Sequence, residues 1–182
     1  MKPSSTQFRA VISEITKIYN QSIYSKFESE CLRIIKKHMV SKSDDVKESH
    51  CELTYDKMFR FLFHGTKETH PKLIYNSEDG LDFRFSHKGL MGQGIYFAED
   101  PSYSHSYTYR MREDKLNQMF LCIVNLGKYK ALQTNNTELR MPPLVEGSKS
   151  MRYDSVYNKP LKHFIVYDNS KAYPGYLITY KC

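Results

Sequence analysis

The sequence predicts an α+β fold, and three observations support it. The first forty residues carry apolar side chains at helical spacing. From residue 58 onward the chain breaks into short apolar runs rich in β-branched and aromatic residues, with turn residues between them. At 182 residues, 40% of them hydrophobic, the chain is long enough for one core and short for two. A single domain over 1–182 is expected, with helices in 1–40 and a sheet core in 58–182.

Phe8, Val11, Ile12, Ile15, Ile18 and Tyr19 fall three and four apart and predict a first amphipathic helix. Tyr24, Phe27, Cys31, Ile34, Ile35 and Met39 predict a second, capped by Ser22. The polar stretch 41–52 reads as a solvated loop. Met58 to Phe63 is apolar at nearly every position, which predicts a core strand buried on both faces and ending at His64. After a helix or turn, Glu78-Asp79-Gly80 signals a turn, and Phe83 and Phe85 alternate as in a short strand. Ile95 to Ala98 is the next strand. Asp100 followed by Pro101 then reads as an N-cap with proline at the first helical position, and the helix it starts places Ser104 and Tyr107 on one face. Met119 to Leu126 is a buried strand, and Tyr129 to Lys159 is mostly loop. His163 to Asp168 and Tyr176 to Tyr180 are the last strands, with a bend at Pro174-Gly175.

Lys and Arg number 27 against 20 Asp and Glu, a formal charge of +7 that favours anionic partners. No long basic run accompanies it, so nucleic-acid binding is a weak expectation. No apolar stretch is long enough to span a membrane or serve as a signal peptide, so an intracellular chain, cytoplasmic or nuclear and off the membrane, is expected. Cys31, Cys51, Cys122 and Cys182 lie far apart without metal-ligand spacing, and neither a disulfide nor a metal is expected. A chain beginning at Met1 fits a whole small protein as well as an excised fragment.

Two short pieces stand out. In Leu62-Phe63-His64-Gly65-Thr66 an apolar run ends in a polar ring beside a bare backbone amide, a place to hold a ligand. In Gly92-Gln93-Gly94-Ile95-Tyr96-Phe97-Ala98 two glycines let the backbone bend closely before a β-rich run. The second piece lacks the third glycine and following helix of a dinucleotide fingerprint, which excludes a Rossmann reading. The tail from Phe164-Ile165-Val166-Tyr167 to Tyr180 completes an ordered set. Taken together, the three pieces resemble the catalytic domain of the poly(ADP-ribose) polymerase family, especially its mono-ADP-ribosyltransferase branch, over nearly the whole chain.

That resemblance implies two antiparallel sheets forming a split β core around an NAD cleft, with flanking helices. It implies NAD as co-substrate, transfer of ADP-ribose with release of nicotinamide, and protein acceptors, the chain itself among them, for a monomer. Gly65 would pair through its backbone with the nicotinamide carboxamide, since leaving a buried amide unpaired costs roughly 1–3 kcal/mol. Ser104 would add a hydroxyl to that amide and Tyr107 would stack on the ring. Tyr96 would form the other wall, and His64 would bond a hydroxyl of the adenosine-side ribose. Ser104 and Tyr107 follow Tyr96 by eight and eleven residues, as in the family. With about sixty residues before the first motif, the regulatory helical subdomain of DNA-dependent members is not expected in this sequence.

Each residue alone has a plainer reading. A lone histidine at a strand end is more often solvated or packed than a ligand, Tyr96 and Tyr107 are two of 15 tyrosines, and Ser104 is an ordinary helix residue. Joint order and spacing decide against these readings. His70, His87, Lys88 and His105 have no motif support and are taken as surface or loop residues.

One position departs from the family. Polymer-forming members carry a glutamate just before the strand matching Phe164-Ile165-Val166-Tyr167, and here that place holds His163. Shifting by one gives Lys162, and Asp168 points to the opposite strand face. A neutral imidazole brings no negative charge to an electron-poor ribose, and losing such a group costs about 100-fold to 1000-fold. The expectation is single transfer without chain elongation, with the acceptor's own carboxylate supplying the charge, as proposed for the mono-transferase branch. Two rivals remain: an NAD- or ADP-ribose-binding pseudoenzyme acting as an interaction module, and transfer onto nucleic-acid ends.

Overall fold

The computed structural model describes residues 9–40 and 55–182. The fold is α+β: one large mixed sheet with flanking helices. Phe8, the loop at 41–52 and Cys51 lie outside the described residues.

The predicted first helix is a strand, β1 (Val11–Lys17). All seven of its residues are exposed, so its apolar spacing does not mark a buried face. Val11, Ile12, Ile15 and Thr16 are β-branched and stiff at χ1, which favours extended backbone wherever a partner strand is present. The partner is β9 (Ala172–Lys181), which pairs antiparallel with β1 from Val11↔Lys181 to Lys17↔Tyr176. The second predicted helix is α1 (Gln21–Val40). It begins earlier than Ser22 would allow, because Asn20 is its cap: Asn20 Oδ1 accepts from the Ile23 amide at 3.1 Å. Asn20 Nδ2 also donates to the carbonyls of Tyr75 and Ser77, so the cap ties the helix start to a segment far along the chain. Ile23, Phe27 and Ile34 are buried, and the first two pack against Tyr173.

A short helix α2 (Tyr55–Met58) leads into β2 (Phe59–His64). Contrary to expectation, β2 is not buried on both faces. Leu62 is fully buried in the main core, whereas on the other face Phe59 packs against Ile23, Phe27 and Tyr173 but Phe61 is 60% exposed. Next come α3 (Pro71–Tyr75) and a single 3-10 turn, Phe83–Phe85, where a strand was expected. There the Asp82 side chain accepts from the Arg84 amide and captures the backbone locally, which leaves Phe85 exposed. The chain continues through β3 (Ile95–Ala98), α4 (Pro101–His105), β4 (Tyr109–Arg110) and β5 (Asn117–Asn125). Residues 129–159 were expected to be mostly loop, but they begin and end in β6 (Tyr129–Leu132) and β7 (Ser155–Asn158), which pair parallel across a long connection. The chain ends with β8 (His163–Val166) and β9. The expected bend at Pro174-Gly175 lies inside continuous β9, where a register shift opposite Leu121 and Cys122 absorbs the proline.

The strands form one nine-stranded sheet, ordered β1-β9-β5-β2-β3-β8-β7-β6, with β4 on β5. Two separate antiparallel sheets were expected. A single pair, Phe63↔Ala98, instead joins the half ending in β2 to the half beginning with β3, and the β6–β7 pair is parallel. The main core, including Leu62, Phe97, Phe120, Val124, Phe164 and Leu177, takes residues from both sides of that seam.

Candidate active site

The seam is the centre of the site. Ala98 pairs with Phe63 on one side and with His163 on the other, so β2, β3 and β8 meet in a single row. One residue beyond that row the β2–β3 ladder ends, and the His64 side chain bridges the gap: its Nδ1 lies 2.8 Å from the Tyr96 carbonyl oxygen. A carbonyl only accepts, so Nδ1 donates. Burial pushes the His64 pKa down against the opposing pull of that hydrogen bond, which keeps the ring neutral and leaves Nε2 with a lone pair to accept a hydroxyl.

Asp100 caps α4 through its side chain, which accepts from the Ser102 amide at 2.8 Å, and Pro101 opens the helix as predicted. The helix is one turn long. It buries Ser104 and hands the chain to Tyr107, whose carbonyl accepts from the Lys67 amide at 2.7 Å. That bond brings the end of α4 down onto the end of β2. A Cβ on Gly65 would sit 2.2 Å from the Tyr107 carbonyl oxygen and 2.9 Å from that of Ser104, so only glycine fits there. Gly65, Ser104 and Tyr107 are therefore neighbours. Tyr107 is 44% exposed, leaving ring surface for a planar group.

Tyr96 is committed to the loop before it. Its hydroxyl donates to the Gly92 carbonyl at 2.8 Å and accepts from the Met91 amide at 2.9 Å. Gly89 and Gly92 close that loop by exchanging backbone hydrogen bonds. Gly92 has φ +77°, and a Cβ there would meet the Leu139 carbonyl oxygen at 1.8 Å. The Tyr167 hydroxyl adds a bond to the Met91 carbonyl at 2.7 Å. Tyr96 thus holds the loop shape, and its backbone carbonyl orients His64.

His163 opens β8 and is 3% exposed. Its Nε2 is buried with no hydrogen-bond partner among the described residues, and burial pushes its pKa down to about 4. Covering it is Tyr103, whose ring centroid lies 3.7 Å from that of the imidazole. The Tyr103 hydroxyl also lies 3.3 Å from the Tyr107 hydroxyl. Sequence reasoning missed Tyr103. The available signal was its place four residues before Tyr107, one helical turn away and so on the same side.

Of the residues without motif support, His87 is exposed and the other three have structural work. His70 Nδ1 accepts from the Lys72 amide at the start of α3, His105 Nδ1 lies 2.7 Å from the Tyr180 hydroxyl, and Lys88 pairs with Glu138. Asp168 caps the turn Asn169–Lys171. Among the described residues no cluster of His, Cys, Asp and Glu could hold a metal, Cys31, Cys122 and Cys182 are free, and no helix is long and apolar enough to cross a membrane. The site can offer a neutral imidazole acceptor, a bare backbone, a buried hydroxyl and an exposed aromatic face. That set suits a ribose hydroxyl and a planar carboxamide.

The model of the poly(ADP-ribose) polymerase catalytic domain matches residues 2–154. A Dictyostelium discoideum protein named a probable poly [ADP-ribose] polymerase is 32% identical over 176 residues, covering 93% of this chain and 44% of that protein. Human protein mono-ADP-ribosyltransferase PARP12 is 32% identical over 125 residues, 66% of this chain and 17% of its own length. Human PARP11, also named a protein mono-ADP-ribosyltransferase, is 27% identical over 197 residues, covering 96% of this chain and 53% of its own length. The chain therefore spans about half or less of each of these relatives, and His163 lies beyond the residues matched by the family model. With most of the described sheet and all of the β2–β3–α4 corner inside that match, the chain belongs to the poly(ADP-ribose) polymerase catalytic domain family.

Proposed function

We propose that this chain is an ADP-ribosyltransferase domain that moves single ADP-ribosyl units from NAD to protein acceptors, itself included, and releases nicotinamide without elongating a chain. The observation that carries this reading is the convergence of His64, Gly65, Ser104 and Tyr107 at the β2–β3 seam. In this reading the two halves of the sheet flank the donor cleft. Gly65 and Ser104 hold the carboxamide, Tyr107 stacks on the nicotinamide ring, and His64 Nε2 accepts a ribose hydroxyl. Tyr96 acts through its carbonyl and its loop. His163 stands where an elongating enzyme would have a carboxylate, and a neutral buried ring does not supply that charge.

A second reading is an NAD- or ADP-ribose-binding module without turnover. The observation favouring it is Tyr103, which lies over His163 and touches Tyr107, filling the acceptor side.

Labelled NAD separates the two readings, using wild type, Tyr107→Ala and His163→Glu on a denaturing gel. The expected result is one discrete labelled band that disappears in Tyr107→Ala and broadens into a smear in His163→Glu. Absence of label and of nicotinamide release, with NAD still raising the melting temperature, selects the binding module. Absence of all three overturns the donor-site assignment.

A further inference from the structure

On the reading that NAD occupies the seam, we infer that His163 Nε2 takes the proton of a neutral acceptor, so that the acceptors are hydroxyl groups, such as those of serine, rather than carboxylates. Nε2 is a buried polar atom with no partner among the described residues. Such atoms are rare because each costs free energy to leave unpaired, and a ligand hydroxyl is one way to satisfy this one. His163 is also in the right place: Ala98 pairs with it directly, and Ala98 pairs in turn with the residue before His64.

The surroundings select against a charged acceptor. His163 lies between its cross-strand partners Ala98 and the neutral Asn158, and the Tyr103 ring covers the imidazole. A carboxylate brought against a neutral imidazole there would be stripped of water without gaining a countercharge, whereas a hydroxyl would lose little and gain a hydrogen bond. The ring stays neutral because burial holds its pKa low. A weak base suffices for this step, since a hydroxyl oxygen becomes strongly acidic as it bonds to an electron-poor carbon. Tyr103 is 37% exposed on a helix of one turn, and it must turn aside for the acceptor to enter.

The step balances. With the proton on Nδ1, His163 Nε2 offers its lone pair to the acceptor O–H. The bond from the ribose carbon to the nicotinamide nitrogen breaks, and its electron pair leaves with neutral nicotinamide. The acceptor oxygen forms the new bond to that carbon, its proton passes to Nε2, and the imidazolium releases it to solvent.

The product linkage tests this. A carboxylate acceptor yields an acyl ester that neutral hydroxylamine cleaves, and a hydroxyl acceptor yields an acetal that it does not. The full chain is incubated with labelled NAD and paired peptides differing only in Ser versus Glu, beside His163→Gln and His163→Phe. Expected are hydroxylamine-stable label on the Ser peptide and a fall of about 100-fold or more in both variants, with NAD-induced thermal stabilisation kept. Gln can accept a hydrogen bond but cannot take the proton, so its loss reports proton transfer rather than shape. Hydroxylamine-labile label, or transfer unchanged in His163→Gln, overturns the inference. If neither variant folds, the wild-type linkage alone decides it. If wild type neither releases nicotinamide nor is stabilised by NAD, the donor-site reading beneath the inference has failed instead.

Discussion

His163 is 3% exposed, and protonating it inside the fold would bury an unpaired charge. Its pKa is held at about 4 in the folded chain, against about 6.5 when unfolded. The unfolded chain therefore binds more protons between those values, so stability rises with pH across that window and is lost as pH falls from about 6.5 toward 4. The difference amounts to about 3 kcal/mol. Urea unfolding at pH 7 and pH 4.5 should show it, and His163→Phe should have a shallower pH dependence. Some slope should remain in the variant, because burial also lowers the His64 pKa.

The end of β2 and the end of α4 form one unit, held by the Lys67–Tyr107 backbone bond and the close approach at Gly65. Gly65→Ala would drive a methyl group into the Tyr107 backbone, not into a flexible side chain. The expected cost is about 1–3 kcal/mol, a fall of roughly 2–12 °C in melting temperature. A Gly65 variant therefore weakens fold and donor site together. Tyr107→Ala removes a half-exposed ring instead and should melt near wild type while losing stabilisation by NAD. Thermal melts with and without NAD distinguish the two. Equal destabilisation of both variants in the absence of NAD would contradict this account.

At the scale of the molecule, two ion clusters centred on the buried carboxylates Glu30 and Asp154 fasten α1 to the rest of the fold. Near its middle, Glu30 meets Arg33 at 2.6 Å and Lys171, just before β9, at 2.9 Å. Near its end, Lys37 and His38 meet Asp154 at 2.6 and 2.7 Å, and Asp154 also accepts from the Lys128 amide at the start of β6. Burial pushes the Asp154 carboxyl up, but bonds from His38, Lys37 and Lys128 outweigh it and bring the pKa down to about 2. A lowered carboxyl pKa contributes stability above the unfolded value, and that contribution is lost as pH falls from about 4 to 2. The loss is about 2 kcal/mol. Asp154→Asn should lack this acid step. It should also lower stability at pH 7 by about 1–3 kcal/mol, because the half-buried Lys37 ammonium loses its countercharge. Chemical unfolding of both chains across pH 2–7 measures each effect.

His64, Gly65, Tyr96, Ser104 and Tyr107 were singled out by resemblance to a family, whereas local chemistry was enough to read α1, β3, β5, β8 and the Asp100–Pro101 start of α4. Each rests on side-chain periodicity, a cap or a spacing contained within a dozen residues. What tertiary structure decided depends on partners far along the chain. The run Val11–Lys17 has the spacing of a helix and the β-branching of a strand, and only pairing with Ala172–Lys181 at the other end of the chain resolves it. β6 and β7 are short and mixed in polarity, with β6 at the sheet edge, so they become strands only through each other and β8. The cover of Tyr103 over His163 likewise joins α4 to β8 across the seam. Periodicity records what one segment would bury. Strand pairing and the filling of a cleft depend on which distant segment arrives beside it, and that is settled only when the whole sheet closes.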